Sequence, residues 1–389
     1  MMLNNRAALK PSWSEPAEAA RPTRVLLLDS SQYFPSSPLF AEALERFERE
    51  GRLQGLFIDE GPVFGALAQS LMGRIALRVG RWPVPRVREL HRRMVRDART
   101  LMPDVVLVVK GAHVPRWCLR QIKRRTGAVL VNFATDDPFN PRVSTRAWIG
   151  ALPDYDLVCT PRRANTQDLR SIGVGRVAYV PFGYKPDVHF PEEPRTAGER
   201  TRFESDVCFI GGCDEDRIAY FETLVARLPD VRLALYGGYW DRVASLRRFW
   251  RGYAVGREFR LAVHGASICV NLVRTANRDD HVMRTFEVPA CGGFMLAERT
   301  EMHSTLLADC REAVFFSTPD EMVEQVRRWL PQTASRAQMA ALAHARIVGG
   351  FNRYDDRLVT ILDTARASVP AGLKIGVDRN SGAGPVRRG

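Results

Sequence analysis

The sequence predicts an α/β protein with two Rossmann-like, doubly wound parallel-sheet domains that face each other across a cleft. Short apolar runs alternate with amphipathic segments along most of the chain, and this alternation starts again near residue 206. A proline-rich stretch without periodicity, residues 181–200, separates the two series. Alternating strands and helices are typical of parallel βαβ units. The length of 389 residues also fits two domains better than one.

The first series begins with a strand that we expect to be buried on both faces. The run TRVLLLDS at 23–30 is continuously apolar, as in a central parallel strand. The next segment, PLFAEALERFEREG at 38–51, places its apolar residues on one helical face and ends at a glycine. The same reasoning predicts a long basic helical region that includes 64–82, strands at 53–60, 103–111, 128–137, 155–161 and 176–183, and helices at 115–127 and 162–173.

The second series repeats the pattern. It predicts strands at 206–212 and 267–273, a strand and turn at 231–240, a helix at 217–229, a strand, turn and helix over 313–330, and terminal helices at 336–351 and 353–365. The predicted organisation is a first domain at 23–185, a linker at 186–200, a second domain at 201–350 and a closing helix at 351–366. Residues 1–22 and 367–389 lack apolar periodicity, so we predict disordered tails there.

Composition favours a reduced, cytoplasmic protein with packed cores. Hydrophobic residues make up 45% of the chain and charged residues 26%. The seven cysteines are scattered, with no CxxC pair and no zinc-type spacing. The N-terminus lacks a signal-peptide pattern. The longest apolar runs are far shorter than the roughly 18 residues expected of a membrane-spanning helix.

Positive charge is concentrated in one part of the chain. Residues 74–125 contain 15 basic and 3 acidic side chains, a net charge of +12. A solvated helix surface is one interpretation, and attraction to a phospholipid surface, a lipid-diphosphate acceptor or nucleic acid is another. Within 64–82, apolar residues and arginines mix at helical spacing, which fits either a membrane-surface helix or a core helix. The partner hypothesis is peripheral contact with an anionic membrane through 64–125; no motif predicts specific nucleic-acid binding.

One segment, RTFEVPACGGFMLAE at 284–298, combines features of a nucleotide-diphosphate site. Pro289 is tolerated only near a helix start, so a helix should begin around 285–288. Its free N–H groups and Arg284 suit a phosphate. The carboxylate of Glu287 only accepts hydrogen bonds, so the two hydroxyls of a ribose suit it. A plain helix–turn–strand, with Glu287 favoured by the helix dipole, explains the pattern equally well.

Five segments together resemble one enzyme family. They are RTFEVPACGG, the linker YVPFGYKPDVHFP (179–191), DVCFIGG followed by Arg217, NFATDDPFN (132–140) and FNRYDDRL (351–358). They are similar to the donor-site segment, the interdomain linker, the first strand and phosphate-side loop of the C-terminal domain, the aspartate-containing N-terminal segment and the closing helix of GT-B glycosyltransferases. Within that superfamily, the resemblance is to the CgeB-like (spore maturation protein) glycosyltransferases and spans about residues 24–365.

The resemblance implies a GT-B enzyme that moves a sugar from a nucleotide-diphosphate-sugar to an unidentified acceptor, without a metal and without a cofactor other than the donor. Such an enzyme must place positive groups where the departing diphosphate gains charge. The candidate donor-binding residues are Gly211, Gly212, Arg217, Tyr236, Gly237, His281, Arg284, Thr285 and Glu287. Among these, the glycines would let the backbone approach the phosphates and Tyr236 would stack on the base.

The catalytic candidates are Asp136 and Asp137, which follow a predicted strand in the first domain and would face the cleft. An inverting reaction needs such a general base on the acceptor hydroxyl. The alternative is that one of them only begins the turn before Pro138. Many retaining GT-B enzymes carry a glutamate eight residues before the ribose-binding one, whereas this chain has Asp279 there, so the stereochemistry stays open.

Three alternatives stay open at this point. Asp214-Glu215-Asp216 forms a literal DxD, which elsewhere marks a divalent cation at a sugar nucleotide, although acids in the first turn of a helix explain it more simply. The same fold could belong to a nucleotide-sugar epimerase or hydrolase. The third alternative is a non-enzymatic basic protein that binds a membrane or nucleic acid.

Overall fold

The computed structural model describes residues 21–31, 38–73, 75 and 84–367, and every structural statement below concerns this part of the chain. The predicted tails lie outside it except for residues 21, 22 and 367. Most of the second half of the predicted basic segment 64–82 also lies outside the described residues.

The first domain is built on six parallel strands. They are β1 (Thr23–Asp29), β2 (Leu53–Asp59), β3 (Val105–Val109), β4 (Val129–Phe133), β5 (Leu157–Thr160) and β6 (Val177–Tyr179). The order across the sheet is β2-β1-β3-β4-β5-β6, and all pairings are parallel. Every residue of β3 and β4 is buried, as their unbroken apolar runs predict. The chain runs from β1 to β2 on one side and then to β3 on the other, which opens a crevice between the carboxyl ends of β1 and β3.

Helices cover both faces of this sheet. They are α1 (Ala41–Arg49), α2 (Gly61–Ala68), α3 (Pro85–Leu101), α4 (Arg116–Thr126), α5 (Arg146–Ala151) and α6 (Asn165–Ser171). Helix α3 shows the amphipathic pattern well, because Leu90, Met94, Val95 and Ala98 are buried while its arginines point outward. Among the described residues, we find no helix that is both long and apolar enough to cross a bilayer.

The second domain repeats the architecture with five parallel strands. They are β7 (Ser205–Ile210), β8 (Leu233–Tyr236), β9 (Ala266–Asn271), β10 (Met295–Glu298) and β11 (Val314–Phe316), in the order β11-β10-β9-β7-β8. Its switch point lies between β7 and β9. The helices are α7 (Ala197–Phe203), α8 (Glu215–Arg227), α9 (Arg257–Gly265), α10 (Arg284–Ala290), α11 (Glu301–Leu306) and α12 (Pro319–Trp329). The predicted fold class, two doubly wound parallel-sheet domains, is confirmed.

The last two helices, α13 (Thr333–Gly349) and α14 (Tyr354–Arg366), bring the chain back to the first domain. Leu358, Ile361 and Leu362 of α14 belong to the core cluster that contains the inner face of the first sheet. The rings of Phe40 and Tyr354 meet edge to face with centroids 5.6 Å apart. The two domains are therefore joined by two crossings of the chain, the linker and the segment before α14.

Candidate functional site

A cavity of about 190 Å³ lies between the carboxyl ends of the two sheets. The first domain contributes Thr135, Asp136, Arg162 and Phe182 to its wall, and the second contributes Gly211, Gly212, Arg217, Arg274, Asp279 and Arg284 among others. The second-domain residues come from the loops after β7 and β9 and from the starts of α8 and α10. The cavity thus occupies the switch point of the second sheet, where parallel α/β folds bind their ligands.

Glycines allow the loops after β7 and β8 to pack closely beside this cavity. Gly237 has a φ of +123°, and a Cβ on it would lie 2.4 Å from the carbonyl oxygen of Gly211. A side chain at Gly237 would therefore displace the backbone of Gly211. Of the three predicted glycines, Gly211 and Gly212 line the cavity, whereas Gly237 supports them from behind.

Arg217, in the first turn of α8, ties two loops of the wall together. Its Nη1 donates to the carbonyl of Gly212 at 2.9 Å, and its Nη2 donates to the carbonyl of Leu272 at 3.1 Å. Asp214 lies 3.3 Å from Nη1. Burial lowers the pKa of the guanidinium, and the nearby Asp214 opposes this. Arg217 is therefore both a wall residue and a brace for the backbone of the cavity.

Arg284 and Glu287 sit one helical turn apart at the start of α10. The Nε of Arg284 donates to the carbonyl of Ile210 at 3.0 Å, its Nη1 pairs with Glu287, and its guanidinium lies 4.7 Å from the ring centroid of Phe259. Arg284 lines the cavity. The Glu287 side chain is 0% exposed, and Glu287 is not a wall residue. The predicted ribose-binding carboxylate thus lies behind Arg284.

His189 is a partner of Glu287 that the sequence did not single out. Its Nε2 lies 3.5 Å from Oε1 of Glu287, and its Nδ1 accepts the backbone N–H of Lys185 at 3.1 Å. Nε2 must therefore carry the ring proton. Burial lowers the pKa of His189 to about 4 although Glu287 opposes this, so the ring is neutral at physiological pH. In the sequence, the one indication of this contact was that a histidine lies within the linker segment.

The structure separates the two catalytic candidates. Asp136 lies on the cavity wall, where its Oδ2 pairs with Nζ of Lys110 at 2.8 Å and its Oδ1 accepts from Asn277 at 3.2 Å. Burial acts to raise the pKa of Asp136, but the charges of Lys110 and Arg162 outweigh it and lower this pKa to about 2. Asp136 is therefore ionised throughout the physiological range.

Asp137 does not line the cavity. Its Oδ2 accepts from Nε of Arg278 at 2.7 Å, and its Oδ1 accepts the backbone N–H of Phe139 at 2.9 Å. The side chain is 2% exposed. These contacts match the alternative considered from the sequence, in which one aspartate only shapes the turn that contains Pro138.

Asp279 is a second carboxylate on the wall. Its Oδ1 lies 2.5 Å from Nε of Arg162, and both side chains are almost fully buried. Burial raises the pKa of Asp279 to about 6, although Arg162 opposes the shift. The cavity therefore holds two carboxyl groups, Asp136 and Asp279, whose environments move their pKa values apart, an arrangement often found at acid–base sites.

Three other predicted donor residues are buried away from the wall. Tyr236 is 2% exposed within the sheet core, Nε2 of His281 accepts the backbone N–H of Phe182 at 3.1 Å, and Oγ1 of Thr285 accepts from Nδ2 of Asn271 at 3.1 Å. Their contacts hold the linker and the loop after β9 in place. The exposed aromatic rings beside Gly238 are instead Tyr239 and Tyr253, which are 58% and 61% exposed.

A short second-domain segment, residues 277–281, makes most of its side-chain contacts with the first domain across the cavity. Asn277 contacts Asp136 and Asn140, Arg278 contacts Asp137 and Asp168, Asp279 contacts Arg162, and His281 contacts Phe182. All of these contacts are polar.

The Asp214-Glu215-Asp216 segment is engaged by arginines. Oδ2 of Asp214 accepts from Nε of Arg274 at 2.8 Å and also lies close to Arg217. Within the described part of the chain, no group of three or more His, Cys, Asp and Glu side chains is arranged to hold a metal ion.

Comparison with known proteins defines the class. A family model described as "Glycosyl transferase-like" matches residues 217–363, which include α8 to α13 and the candidate donor segment. Together with the two-domain architecture, this match confirms the predicted enzyme class, a glycosyltransferase with a GT-B fold. No curated protein matches the sequence at a significant level.

Solved structures share the fold at low sequence identity. HepE of Anabaena in complex with UDP-glucose superposes with a TM-score of 0.60 at 13% identity, covering 88% of this chain and 99% of its own. Sucrose-phosphate synthase of Thermosynechococcus elongatus gives 0.61 at 12% identity, with 89% and 99% covered. A glycosyltransferase of Rickettsia africae gives 0.59 at 10% identity, with 90% and 99% covered. At these identities the comparisons show a common fold.

Proposed function

We propose that the protein transfers a glycosyl group from a nucleotide-diphosphate-sugar to an acceptor hydroxyl, with the donor seated in the cavity between the domains. The observation that carries this proposal is the second-domain wall, where Gly212 leaves the backbone open beside three arginines, Arg217, Arg274 and Arg284. Such a wall suits a diphosphate. The complex of HepE with UDP-glucose and the CgeB-like motif at α10 support the same donor class.

Each side chain has a defined part in this proposal. Arg274 and Arg284 bind the diphosphate and stabilise the negative charge that grows on it as the glycosidic bond breaks, so that no metal is needed. Arg217 keeps the loops after β7 and β9 in position. Glu287 accepts from the ribose hydroxyls once Arg284 has turned toward the diphosphate. Tyr253, rather than the buried Tyr236, stacks on the base.

The acceptor hydroxyl enters from the first domain. Asp136, ionised and fixed by Lys110, is placed to orient that hydroxyl. A general base works best when its pKa is close to the working pH. On this criterion Asp279, with a pKa of about 6, is the stronger proton acceptor of the two.

We further propose that the acceptor is reached at an anionic membrane surface. Leu71, Met72 and Trp117 are 67%, 63% and 41% exposed. They belong to the part of the first domain that also carries the outward arginines of α3 and α4. Apolar side chains beside basic ones suit the headgroup region of anionic lipids.

The test of the donor site is a calorimetric screen of UDP-, GDP-, ADP- and dTDP-sugars with the full-length protein. We expect one of them to bind, and mass spectrometry should show that a sugar acceptor is needed for full turnover. If folded protein binds none of them, the proposal is wrong. If the donor alone is consumed at full rate, the enzyme is an epimerase or hydrolase instead.

A further inference from the structure

One buried amide on the cavity wall has only one of its two ends bonded to the protein. Asn271, the last residue of β9, lines the cavity and is 1% exposed. Its Nδ2 donates to Oγ1 of Thr285 at 3.1 Å and lies 3.5 Å from Sδ of Met295. Within the described residues, no group donates a hydrogen bond to its Oδ1. A buried amide oxygen without a donor is costly, so a water or a ligand in the cavity has to supply one.

The direction of this amide is set by a chain of hydrogen bonds that begins at a backbone carbonyl. Nδ1 of His303 lies 2.6 Å from the carbonyl oxygen of Glu298, which can only accept, so Nδ1 carries the ring proton. Burial lowers the pKa of His303 to about 4, although the bond to Glu298 opposes this, so the ring is neutral and its Nε2 can only accept. The hydroxyl of Thr285, 2.9 Å from Nε2, therefore donates its proton to His303.

The hydroxyl oxygen of Thr285 is then restricted to accepting from its other neighbours. Oγ1 accepts the backbone N–H of Val282 at 3.2 Å and the amide N–H of Asn271 at 3.1 Å, which occupies both lone pairs. If the amide of Asn271 turned over, its Oδ1 would meet Oγ1 of Thr285 with no proton between the two oxygens. The amide therefore presents its oxygen, and not its NH2 group, to the cavity.

This oxygen differs in kind from the arginines beside it. Arg217, Arg274 and Arg284 are hydrogen-bond donors, which suit a phosphate. An amide oxygen cannot form a hydrogen bond with a phosphate oxygen that carries no proton, so it cannot take part in binding the diphosphate itself. It requires an O–H or N–H group. A nucleotide-sugar carries several hydroxyls, on its sugar and on its ribose.

We propose that Asn271 is a specificity-determining residue whose amide oxygen accepts a hydrogen bond from one hydroxyl of the bound nucleotide-sugar. Thr285 and His303 are positioning residues, because they hold the amide in this direction from behind the cavity wall. The inference rests on the proposed donor site and adds a criterion for the ligand, since the group beside Asn271 must have a proton to donate. It also gives Thr285, a predicted donor-binding residue, a part in recognition without direct contact.

The test combines a set of ligands with a set of variants. UDP-glucose, its 2-, 3-, 4- and 6-deoxyglucose forms and its 2′- and 3′-deoxyribose forms are titrated by calorimetry into the full-length wild type, Asn271→Leu and the control Asn132→Leu. If the donor screen selects another nucleotide-sugar, the deoxy forms of that compound are used. The control removes a buried amide of β4 that donates to the carbonyls of Val108 and Lys110 and does not line the cavity. Because ligand and residue are changed together, the comparison isolates the interaction between one hydroxyl and the amide.

We expect one deoxy form to bind the wild type about tenfold more weakly than the parent ligand, because the amide oxygen loses its donor. Asn271→Leu should bind the parent ligand about tenfold more weakly and should no longer distinguish it from that deoxy form. The other deoxy forms should keep the same affinity ratios to the parent in both proteins. Asn132→Leu should show the wild-type pattern. The position of the sensitive hydroxyl, on the glucose or on the ribose, identifies the group that Asn271 binds.

The chain of hydrogen bonds is tested separately at Thr285, which also covers the case that Asn271→Leu does not fold. Thr285→Val keeps the shape of the side chain but removes the hydroxyl, so the amide is free to turn over. The preference for the parent ligand over the sensitive deoxy form should then fall to about threefold. Thr285→Ser keeps the hydroxyl and should retain a preference of about tenfold.

Equal weakening of every ligand in Asn271→Leu would overturn the inference, because it would show a structural role alone. An unchanged preference in Thr285→Val would show that Thr285 and His303 do not set the direction of the amide. Failure of the donor site has a different signature, in which the wild type binds no nucleotide-sugar at all. If nucleotide-sugars bind and no deoxy form depends on Asn271, only the present inference is wrong.

Discussion

The two sheets end in crevices of opposite chemistry, although their topology at the switch point is the same. Beside β7 and β9 the wall contains Gly211, Gly212 and three arginines, Arg217, Arg274 and Arg284. Where β1 and β2 end, the buried groups are carboxyls, Asp29 and Glu60, and Lys110 follows β3. Burial raises the pKa of Asp29 to about 7 and that of Glu60 to about 8. The wall beside β7 and β9 therefore suits an anion, whereas the carboxyls at the ends of β1 and β2 are buried and tend to hold protons.

The backbone also differs between the two crevices. Lys110 has a φ of +56° and is followed by Gly111 at +69°. A lysine in the left-handed region costs of order 1 kcal/mol, and such strain is concentrated at functional sites. Here the turn directs Nζ onto Asp136. The same fold thus uses glycine on the donor side to let a ligand approach and a strained lysine on the other side to hold a carboxylate.

The largest effect should come from Asp136→Asn, compared with Asp137→Asn. Asp136 lies on the wall and Asp137 does not, so we expect the first change to lower kcat about 100-fold while the donor Kd stays within about twofold. Asp137→Asn should keep most of the turnover and lower the melting temperature, because the ion pair with Arg278 is lost. Steady-state kinetics, calorimetry and thermal melting check these outcomes. Equal loss of kcat in both variants would contradict the assignment of the first domain to the acceptor.

The position of Asp136 at the cavity could be predicted from the sequence, but the side chains that contact it could not. Residues just after a buried strand must lie at the carboxyl edge of a parallel sheet, and Asp136, Gly211 and Gly212 do line the cavity at that edge. The pairings of Asp136 with Lys110 and of Glu287 with His189 depend on contacts between distant parts of the chain. The predicted stacking role of Tyr236 depended on the direction of its side chain, which lies in the core and not in the cavity.

The same reasoning separates the long elements from the short ones. The strands and the helices α1, α3, α8 and α12 carry enough apolar repeats to be predicted. Helices α5, α7, α9 and α11 have only 6, 7, 9 and 6 residues, and they were not predicted. Helix α7 begins inside the predicted linker, where the Thr196 side chain accepts the backbone N–H of Glu199.

The next effect concerns the arginines of the second crevice. Arg274→Gln should weaken donor binding by about 2 kcal/mol, or roughly 30-fold, because a charge-assisted bond to the diphosphate is lost. Asp214 is partly exposed, so the fold should tolerate the change. The control is Arg299→Gln, which breaks a comparably exposed pair with Asp309 on the surface. Calorimetry with the selected donor compares the donor affinities of the two variants. Equal losses of affinity would mean that the change in net charge alone is responsible.

Protonation of the first crevice should be visible in stability. Because the pKa of Glu60 is raised to about 8 by burial and by Asp29, with Lys110 opposing, the folded protein holds a proton that the unfolded chain releases near pH 4. The contribution of Glu60 to stability is therefore present below about pH 4 and is lost as the pH rises toward 8. Glu60→Gln should raise the free energy of unfolding by at least about 1 kcal/mol at pH 8 and change it little at pH 4. Denaturant titrations of both proteins at pH 4 and pH 8 measure this. If Glu60 is not protonated in the folded protein, the difference in unfolding free energy between wild type and variant will be the same at both pH values.

The smallest effect is expected at the rim of the donor crevice. Tyr253 is 61% exposed, and its hydroxyl oxygen would lie 3.1 Å from a Cβ placed on Gly238, so its ring stands beside the loop after β8, which packs against the cavity-lining loop after β7. Stacking of a base on an aromatic ring contributes about 1–3 kcal/mol, and the lower end applies to an exposed ring. Tyr253→Leu should therefore weaken donor binding about fivefold, whereas Tyr253→Phe, which keeps the ring, should not. Tyr236→Phe should also leave donor binding unchanged, because this side chain is buried in the sheet core and does not line the cavity. If Tyr236→Phe lost affinity and Tyr253→Leu did not, the base would bind on the side of β8 that Tyr236 faces, and the proposed position of the base would be wrong.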